Sequence, residues 1–542
     1  MKKLINFLIV FVIFLTFGTI LINNYEILYT INDDIALRSI VAGRFAGTPS
    51  LYMIFSGFPY SVLLVILYNI INKIDWYGLT LVLLTAFFLC YTIYNVIKSK
   101  KDILKNIIYV ILMFTIVAFL YNNFLVELTF TSTSIFIASC CLILYLLPDN
   151  KGKNIIMTIG ILLSFGLRIK SCLMILVFFI PALFYKNYEN KEGIKKDFWL
   201  GIKIGAILLI CFIIEKSLYN TKEWKEYIKY NNLRSLYYDY YYNIIEDLPE
   251  ETRKEIFYNA GFSEEEMTIV RNYSGIAFYE DIPNKMENLI EQCKIHNLKL
   301  NKSIKKSIKK LSKMTINARY NVTLAIIAIL IILSKDKKKS AKIILPFVIL
   351  QFAILLYLVK GGRTPDRVMV PLYTCYIVTN IYIIFKEDVT KKIFDKIMSY
   401  KIVTLLVLIM SVLLFSSSLK KLNVNTNISY YAKRGNVIEE YFKNHPNNVY
   451  IYDNNYLDKF EIINKYVTSN YINMGGWTAY SPIYKKAIKN HGAKNLKELL
   501  FKDNVYMVLT TTDINIYKDI DPEAKIEAID TIDEFHIYKF TK

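Results

Sequence analysis

The stretch Thr30-Ile31-Asn32-Asp33-Asp34-Ile35 follows the first hydrophobic run of the chain, Leu4–Ile22. A chain that leaves a membrane meets water at this point, so two adjacent carboxylates would lie at the membrane surface. Most of the remaining sequence is apolar helix that would hold this stretch there. The organisation of the chain therefore depends on whether the acidic pair begins a helix or performs chemistry.

The composition is that of a polytopic α-helical membrane protein. Of the 542 residues, 54% are hydrophobic and 15% are aromatic, and a soluble protein of this size rarely carries so many long apolar runs. The net charge of +20 comes from lysines that cluster between apolar runs, which fits positive-inside topology better than nucleic-acid binding. The seven cysteines form no disulfide framework and no Cys/His metal spacing. The sequence thus predicts that the chain lies in a lipid bilayer and that it does not bind nucleic acid.

Short lysine-rich loops between the apolar segments predict which ends face the cytoplasm. If Met1 and the loop 98–105 are both inside, the segment Pro59–Ile74 cannot cross, and we interpret it as a juxtamembrane or re-entrant helix. Eleven spans result, with the N-terminus cytoplasmic and the acidic pair on the outer face. The predicted spans are Leu4–Ile22, Trp76–Ile97, Ile107–Leu120, Leu125–Leu147, Ile155–Leu167, Leu173–Tyr185, Phe198–Ile214, Val322–Leu333, Ile343–Val359, Val368–Phe385 and Ile402–Leu419.

Two hydrophilic regions interrupt the apolar pattern, and the topology places both outside the cell. We predict a transmembrane domain over residues 1–419, with an outer acidic loop at 23–58 and an outer helical insertion at 215–320. A small extracytoplasmic α/β domain follows at 420–542. Its predicted strands are Val449–Tyr452, Val505–Leu509 and Phe535–Tyr538, and its predicted helices are Lys459–Tyr466 and Asn495–Phe501. Leu300, Ile304, Ile308 and Leu311 recur at helical spacing, which predicts an amphipathic helix on the membrane surface.

The acidic pair allows two interpretations. Asn32 or Asp33 could cap a helix that begins near Ile35, with the other carboxylate favoured by the helix dipole. Alternatively, Asp33 or Asp34 could act as a general base on an acceptor hydroxyl. Local sequence favours the cap. The topology favours catalysis, because it brings the pair to the same face as two basic turns and the C-terminal domain, and we expect Asp33 to be the base.

The basic turns are candidate phosphate-binding sites. Lys360, Arg363 and Arg367 belong to one short outer loop, where arginines can bind phosphate through paired donors or contact lipid headgroups instead. Arg168 lies in a second tight outer turn, where a charge beside the apolar core is expensive and often functional, although snorkelling is the common alternative.

Two further residues are weaker candidates for lining a substrate site. Glu127 lies at the outer edge of its apolar segment, and Trp477 follows two glycines and could present a flat ring to a sugar. For both, ordinary packing is the competing interpretation.

The arrangement resembles the GT-C class of integral membrane glycosyltransferases. Members have a first helix, an outer loop with an acidic catalytic residue, juxtamembrane helices, further spans and often an extracytoplasmic C-terminal domain. The resemblance rests on Asn32-Asp33-Asp34, on the segment Pro59–Ile74 and on the basic turns at Arg168 and Arg363–Arg367. The His or Pro-Pro signature of some members is missing, and Phe55-Ser56-Gly57-Phe58-Pro59 occupies that zone.

The resemblance implies an inverting glycosyltransferase that uses a polyprenyl-phosphate sugar donor and a glycan or protein acceptor of the cell envelope. Asp33 or Asp34 would deprotonate the acceptor, and Arg168, Arg363 and Arg367 would neutralise the departing phosphate. No cofactor is certain, and a divalent metal ion is optional because the leaving group is already a phosphate. A polysaccharide polymerase or ligase would instead depend on the arginines and not on the acidic pair. A non-enzymatic glycolipid transporter would favour charges deep within helices.

Overall fold

Long apolar stretches fold as helices in a bilayer because no water is present there to satisfy their backbone groups. In this computed structural model, eight helical segments among the described residues are long and apolar enough to cross a membrane. One of them, Ile169–Lys186, consists of two consecutive short helices. The structure describes residues 1–188, 191–298, 306–309, 328, 337–362, 364–386, 396, 399–422, 424, 426–452, 460–463, 470–510 and 514–542.

The helices of the apolar bundle follow the predicted segments closely. Two of them, at 130–146 and 151–167, are slightly shorter than the eight long ones. The eleventh predicted span, Val322–Leu333, lies outside the described residues. The helices are α1 (Lys2–Asn24), α2 (Asn32–Val41), α3 (Phe58–Ile70), α4 (Trp76–Ile97), α5 (Ile103–Tyr121), α6 (Phe130–Leu146), α7 (Lys151–Leu167), α8 (Ile169–Leu176), α9 (Phe179–Lys186), α10 (Lys191–Leu218), and, after the outer helical region, α16 (Lys337–Lys360), α17 (Asp366–Lys386) and α18 (Lys401–Lys420).

The start of α1 lies beside the end of α4, which resolves the direction of the early crossings. Asn6 donates from Nδ2 to the carbonyl oxygens of Ile97 at 3.1 Å and Lys100 at 3.2 Å, and it accepts from Asn106 Nδ2 at 2.8 Å. Since α1 and α4 run in opposite directions, α3 begins and ends on the same face. Its 13 residues would extend only about 20 Å, less than a membrane span, which agrees with the interpretation of this segment as a juxtamembrane or re-entrant helix.

Loops predicted to share the inner face meet in a network of ion pairs. Lys186 Nζ lies 2.7 Å from Asp149 and 3.0 Å from Asp197, and Lys196 Nζ lies 2.9 Å from Asp149. Lys153 is buried and donates to two carbonyl oxygens at the end of α6, where the helix dipole favours a cation. We call this end of the bundle the basic face and the opposite end the outer face.

A hydrophilic helical region lies on the outer face after α10. It comprises α11 (Lys222–Leu236), α12 (Tyr242–Glu246), α13 (Glu250–Asn259), α14 (Glu264–Asn272) and α15 (Ile282–Ile295), with one π-helical turn at Tyr237–Tyr241. Of the proposed amphipathic strip, only residues 306–309 are described, and they are helical. Leu300, Ile304 and Leu311 lie outside the described residues.

The C-terminal region forms a small α/β domain, as predicted. After α19 (Thr426–Asn444), it has a five-stranded sheet in the order β4-β3-β5-β7-β6. In this sheet β3 is parallel to β4 and β5, and β7 is antiparallel to β5 and β6. The elements are β3 (Val449–Tyr452), β4 (Tyr471–Asn473), α20 (Pro482–Asn490), α21 (Leu496–Leu500), β5 (Val505–Leu509), β6 (Lys525–Ile532) and β7 (Phe535–Thr541).

The three predicted strands and the helix at Asn495–Phe501 are confirmed, whereas β4 and β6 were not predicted. The predicted helix Lys459–Tyr466 is wrong at its described residues, 460–463. These residues are not helical, because their backbone pairs elsewhere. Phe460 N donates to Ile27 O, and Asp75 N donates to Ile462 O, both at 3.0 Å.

Gly166 lies at the contact between α3 and α7, and its substitution tests that contact. A β-carbon at Gly166 would lie 2.7 Å from the Tyr60 backbone nitrogen, a distance that requires the backbone to move. We therefore expect Gly166→Ala to destabilise the protein by roughly 1–3 kcal/mol, the usual cost of overpacking. A β-carbon at Gly201 would have no neighbour within 4 Å, so Gly201→Ala is the matched control. Thermal unfolding in detergent measures both, and equal melting temperatures for the two variants would contradict the described contact.

Candidate functional site

A short parallel pairing of strands brings the acidic helix to its neighbours on the outer face. β1 (Leu28–Tyr29) pairs with β2 (Glu127–Leu128), so that α2 and α6 begin side by side. Ile31 is the N-cap residue of α2, and no side chain caps that helix. Asp33 and Asp34 both lie in its first turn, where the helix dipole favours negative charge. Neither carboxylate is therefore the cap of its own helix.

Asp34 instead joins three helices. Its side chain is fully buried, and Oδ1 accepts a hydrogen bond of 2.7 Å from the Tyr77 hydroxyl and one of 3.0 Å from the backbone N–H of Phe130, the first residue of α6. Oδ2 has no hydrogen-bond partner among the described residues. A buried oxygen that lacks a partner is unusual in native proteins and requires a specific explanation.

Burial dominates the electrostatics of Asp34. Loss of hydration raises the pKa of Asp34 from 3.8 to about 7, against the opposing effect of its hydrogen bonds from Tyr77 and Phe130 and of the nearby Thr129 hydroxyl. The neighbouring Asp33 carboxylate adds a smaller upward contribution. Asp33 itself is half-buried. A carboxyl group that titrates near neutral pH can both accept and return a proton.

Asp75, which the sequence did not single out, supports this arrangement. The carboxylate is buried, and Oδ2 accepts from the Tyr29 hydroxyl at 2.7 Å and lies 3.3 Å from Arg38 Nη1. Oδ1 accepts from the Tyr68 hydroxyl and from the N–H of Gly78, both at 3.3 Å. Asp75 is thus the N-cap of α4 and fixes Tyr77, two residues later. The available signal was a single carboxylate between two apolar segments.

Aromatic rings connect Asp34 to two other predicted site residues. The Arg168 guanidinium lies 5.1 Å from the ring centre of Phe130 and 5.3 Å from that of Phe55, distances typical of cation–π contacts. The Phe55 ring in turn lies 4.7 Å from the ring of Trp477. Asp34, Arg168 and Trp477 therefore belong to one continuous cluster. Trp477 is buried, so its ring packs against Phe55 and is not an open platform.

The remaining predicted site residues are Glu127, Lys360, Arg363 and Arg367. Glu127 is buried in β2 and accepts from Asn123 Nδ2 at 2.6 Å. Lys360 is exposed at the end of α16, and Arg367 is half-buried in the first turn of α17. No hydrogen bond of the described residues joins either of them to Asp34. Arg363 lies outside the described residues.

The described residues hold no preformed cluster of three or more ligands for a divalent metal ion. Within the part of the chain that the structure describes, no three His, Cys, Asp or Glu side chains are grouped closely enough to hold one. The groups that the structure positions at the site are carboxylates, hydroxyls and the guanidinium of Arg168.

Comparisons with known proteins leave the family open. No protein-family model and no curated protein matches the sequence. Among solved structures, the crystal structure of ArnT from Cupriavidus metallidurans bound to undecaprenyl phosphate is similar over 97% of this chain and 97% of that chain, with 10% sequence identity and a TM-score of 0.39.

The raised pKa of Asp34 predicts a pH dependence of stability. Between about pH 4 and pH 7, the native state retains a proton that the unfolded chain, with a pKa of 3.8, has lost. Since the native state binds more protons, this group makes the protein less stable as the pH rises through that window. Asp34→Asn removes the effect, so we expect the variant to gain roughly 2–3 kcal/mol relative to the parent between about pH 5 and pH 8. Asp33→Asn should retain the parent's pH dependence in the same thermal unfolding series, and parallel curves for the parent and Asp34→Asn would contradict the assignment.

Proposed function

We propose that the protein is a membrane glycosyltransferase of the GT-C type, which moves a sugar from a polyprenyl-phosphate donor to a cell-envelope acceptor. The observation that carries the proposal is the buried Asp34 Oδ2, which has no hydrogen-bond donor among the described residues and lies on the same face of the bundle as Arg168. A hydroxyl group of the acceptor would supply that donor. A general base in hydrogen-bond reach of a hydroxyl and a cation for a departing phosphate are the two requirements of this transfer.

The reaction would be a direct displacement. Asp34 Oδ2 takes the proton of the acceptor hydroxyl while the hydroxyl oxygen forms a bond to the anomeric carbon of the sugar. The bond between that carbon and the phosphate oxygen breaks, and its electron pair leaves with the polyprenyl phosphate. Attack from the opposite side inverts the anomeric configuration. No step requires a metal ion or another cofactor.

Asp34 is a better candidate for the base than Asp33, which the sequence analysis favoured. A base works best when its pKa is close to the operating pH, and the pKa of Asp34 is about 7. Its orientation is fixed through Oδ1 by Tyr77 and Phe130, while Oδ2 remains available. Asp33 is half-buried and faces the outer helical region, which suits contact with the acceptor.

Arg168 is the cation that the proposal places nearest to the reaction. Its position against Phe130 keeps the guanidinium beside the residue that donates to Asp34. Arginine binds phosphate through two parallel hydrogen bonds. Lys360, Arg363 and Arg367 are proposed as a second phosphate-binding group that meets the donor as it enters from the lipid. Glu127 is proposed only as a residue that lines the substrate site without a role in proton transfer or phosphate binding.

The proposal includes an orientation. The basic face, with Met1 and the paired lysines, would be cytoplasmic, and the outer face would be extracytoplasmic in the plasma membrane. The polymerase or ligase alternative predicts that the arginines matter and that the acidic pair is dispensable.

Single substitutions of the acidic pair test the role of the base. We expect Asp34→Asn to lower kcat by at least about 10²-fold, the usual contribution of a positioned general base, because the amide keeps the hydrogen bonds at Oδ1 but cannot accept a proton. Asp33→Asn should change kcat by less than about tenfold. Transfer from a radiolabelled polyprenyl-phosphate sugar, with folding checked by thermal unfolding, measures both. Loss of activity in Asp33→Asn alone would return the base to Asp33, and full activity in both variants would exclude this mechanism.

Substitution of the arginines tests the phosphate sites separately. Arg168→Gln should reduce kcat strongly, since the cation is needed where charge develops on the leaving phosphate. Arg168→Lys should recover part of the rate because the charge is restored without the planar geometry. Arg367→Gln should mainly raise KM for the donor if the outer loop only captures it. The reverse pattern, with kcat lost in Arg367→Gln and unchanged in Arg168→Gln, would exchange the two roles.

A further inference from the structure

Arg234, on α11 of the outer helical region, is a buried cation with no acidic partner among the described residues. Only 8% of the residue is exposed, and no carboxylate oxygen of the described residues lies within 4.0 Å of its guanidinium. Its hydrogen-bond acceptors are neutral, namely Asn231 Oδ1 at 3.0 Å and the Tyr273 hydroxyl oxygen. The other two arginines of this region, Arg253 and Arg271, both form ion pairs with Glu246. A buried charge that lacks a counter-ion is costly unless a ligand supplies one.

Two tyrosine hydroxyls, those of Tyr230 and Tyr273, are potential hydrogen-bond donors near this guanidinium. The Tyr273 hydroxyl accepts from Arg234, and burial raises the pKa of Tyr273, so that its own proton is retained and can be donated. Tyr230 lies one helical turn before Arg234 and therefore on the same side of α11. Its hydroxyl is buried and has no hydrogen-bond partner among the described residues, and only 2% of the residue is exposed. A ligand with several oxygens would accept hydrogen bonds from the Tyr230 and Tyr273 hydroxyls and neutralise the charge of Arg234.

The backbone at Tyr273 indicates that this arrangement is held under strain. Tyr273 ends α14 with φ of 57°, in the left-handed region, which glycine or asparagine usually occupies at such a position. A bulky side chain there is an outlier, and such outliers concentrate at ligand-binding sites. The conformation turns the Tyr273 ring across Arg234, with 5.8 Å between the guanidinium carbon and the ring centre.

We propose that Arg234, Tyr230 and Tyr273 form an anion-binding site that takes a phosphate or carboxylate group. Two carboxylates act on it from farther away. Asp239 interacts electrostatically with Arg234, and Asp33 interacts electrostatically with Tyr273. Tyr273 is half-buried, so the ligand would enter past its ring. The same chemistry could come from a lipid headgroup or from a soluble phosphorylated molecule.

Phosphate-dependent stability of the full chain tests the site without any assay of transfer, so its outcome is independent of the proposed catalysis. In phosphatidylcholine nanodiscs, sodium phosphate should raise the melting temperature saturably, relative to sodium chloride at the same ionic strength. Arg234→Gln should weaken the apparent affinity for phosphate at least about tenfold, and Tyr273→Phe should weaken it less. Arg271→Gln removes the same charge from the Glu246 pair and should keep the parent's affinity.

A second arm replaces phosphatidylcholine by phosphatidylglycerol. A rise of the melting temperature that requires Arg234 supports the proposal in either arm, and the arm in which it occurs identifies a lipid or a soluble source. If Arg234→Gln does not fold, Tyr230→Phe and Tyr273→Phe carry the comparison. Equal phosphate responses in the parent and in these variants, or no saturable response of the parent in both arms, would overturn the proposal.

Discussion

The Asp75 carboxylate holds together the segments that meet on the outer face. It accepts hydrogen bonds from Tyr29 on β1 and Tyr68 on α3, it faces Arg38 on α2, and it caps α4 through Gly78. A buried charge of this kind is stable only while its partners are present, because removal of one partner leaves the other ion uncompensated. The four segments are thereby fixed relative to one another, and the first turn of α2 is fixed with them.

Asp34 depends on this interaction through α4. Tyr77 follows Asp75 by two residues and donates to Asp34 Oδ1, and Phe130 donates to the same oxygen from the start of α6. One oxygen of the carboxylate is therefore used to join helices, and the other has no partner among the described residues. The first oxygen thus has a structural role, and the second is the atom to which the proposed function assigns the proton transfer.

The parts that could be predicted from the sequence depend on local patterns. Apolar runs, lysine-rich loops and alternating strands can be recognised within short stretches of sequence. The contact of Asn6 with the end of α4 agrees with the number of early membrane crossings that these patterns predict. Asp75 could not be identified in this way, since Arg38 and Tyr29 lie 37 and 46 residues away in sequence. The helix predicted around Phe460 was wrong for the same reason, because its backbone is used by Ile27 on a distant segment. The contact between Arg234 and Tyr273 could not be predicted either, because these residues are 39 positions apart in sequence.

The two aspartates of the acidic pair differ because they lie on a helix. Successive residues point about 100° apart, so a turn that buries Asp34 against α4 and α6 must direct Asp33 elsewhere. Asp33 is half-buried, and its charge reaches Tyr273 in the outer helical region. The pair thus faces two parts of the molecule at once. Asp34 contacts the membrane helices and lies in the cluster that includes Arg168, and the charge of Asp33 acts on the outer helical region. Adjacent carboxylates that appear equivalent in the sequence have different environments, and this difference follows from the helix that begins beside them.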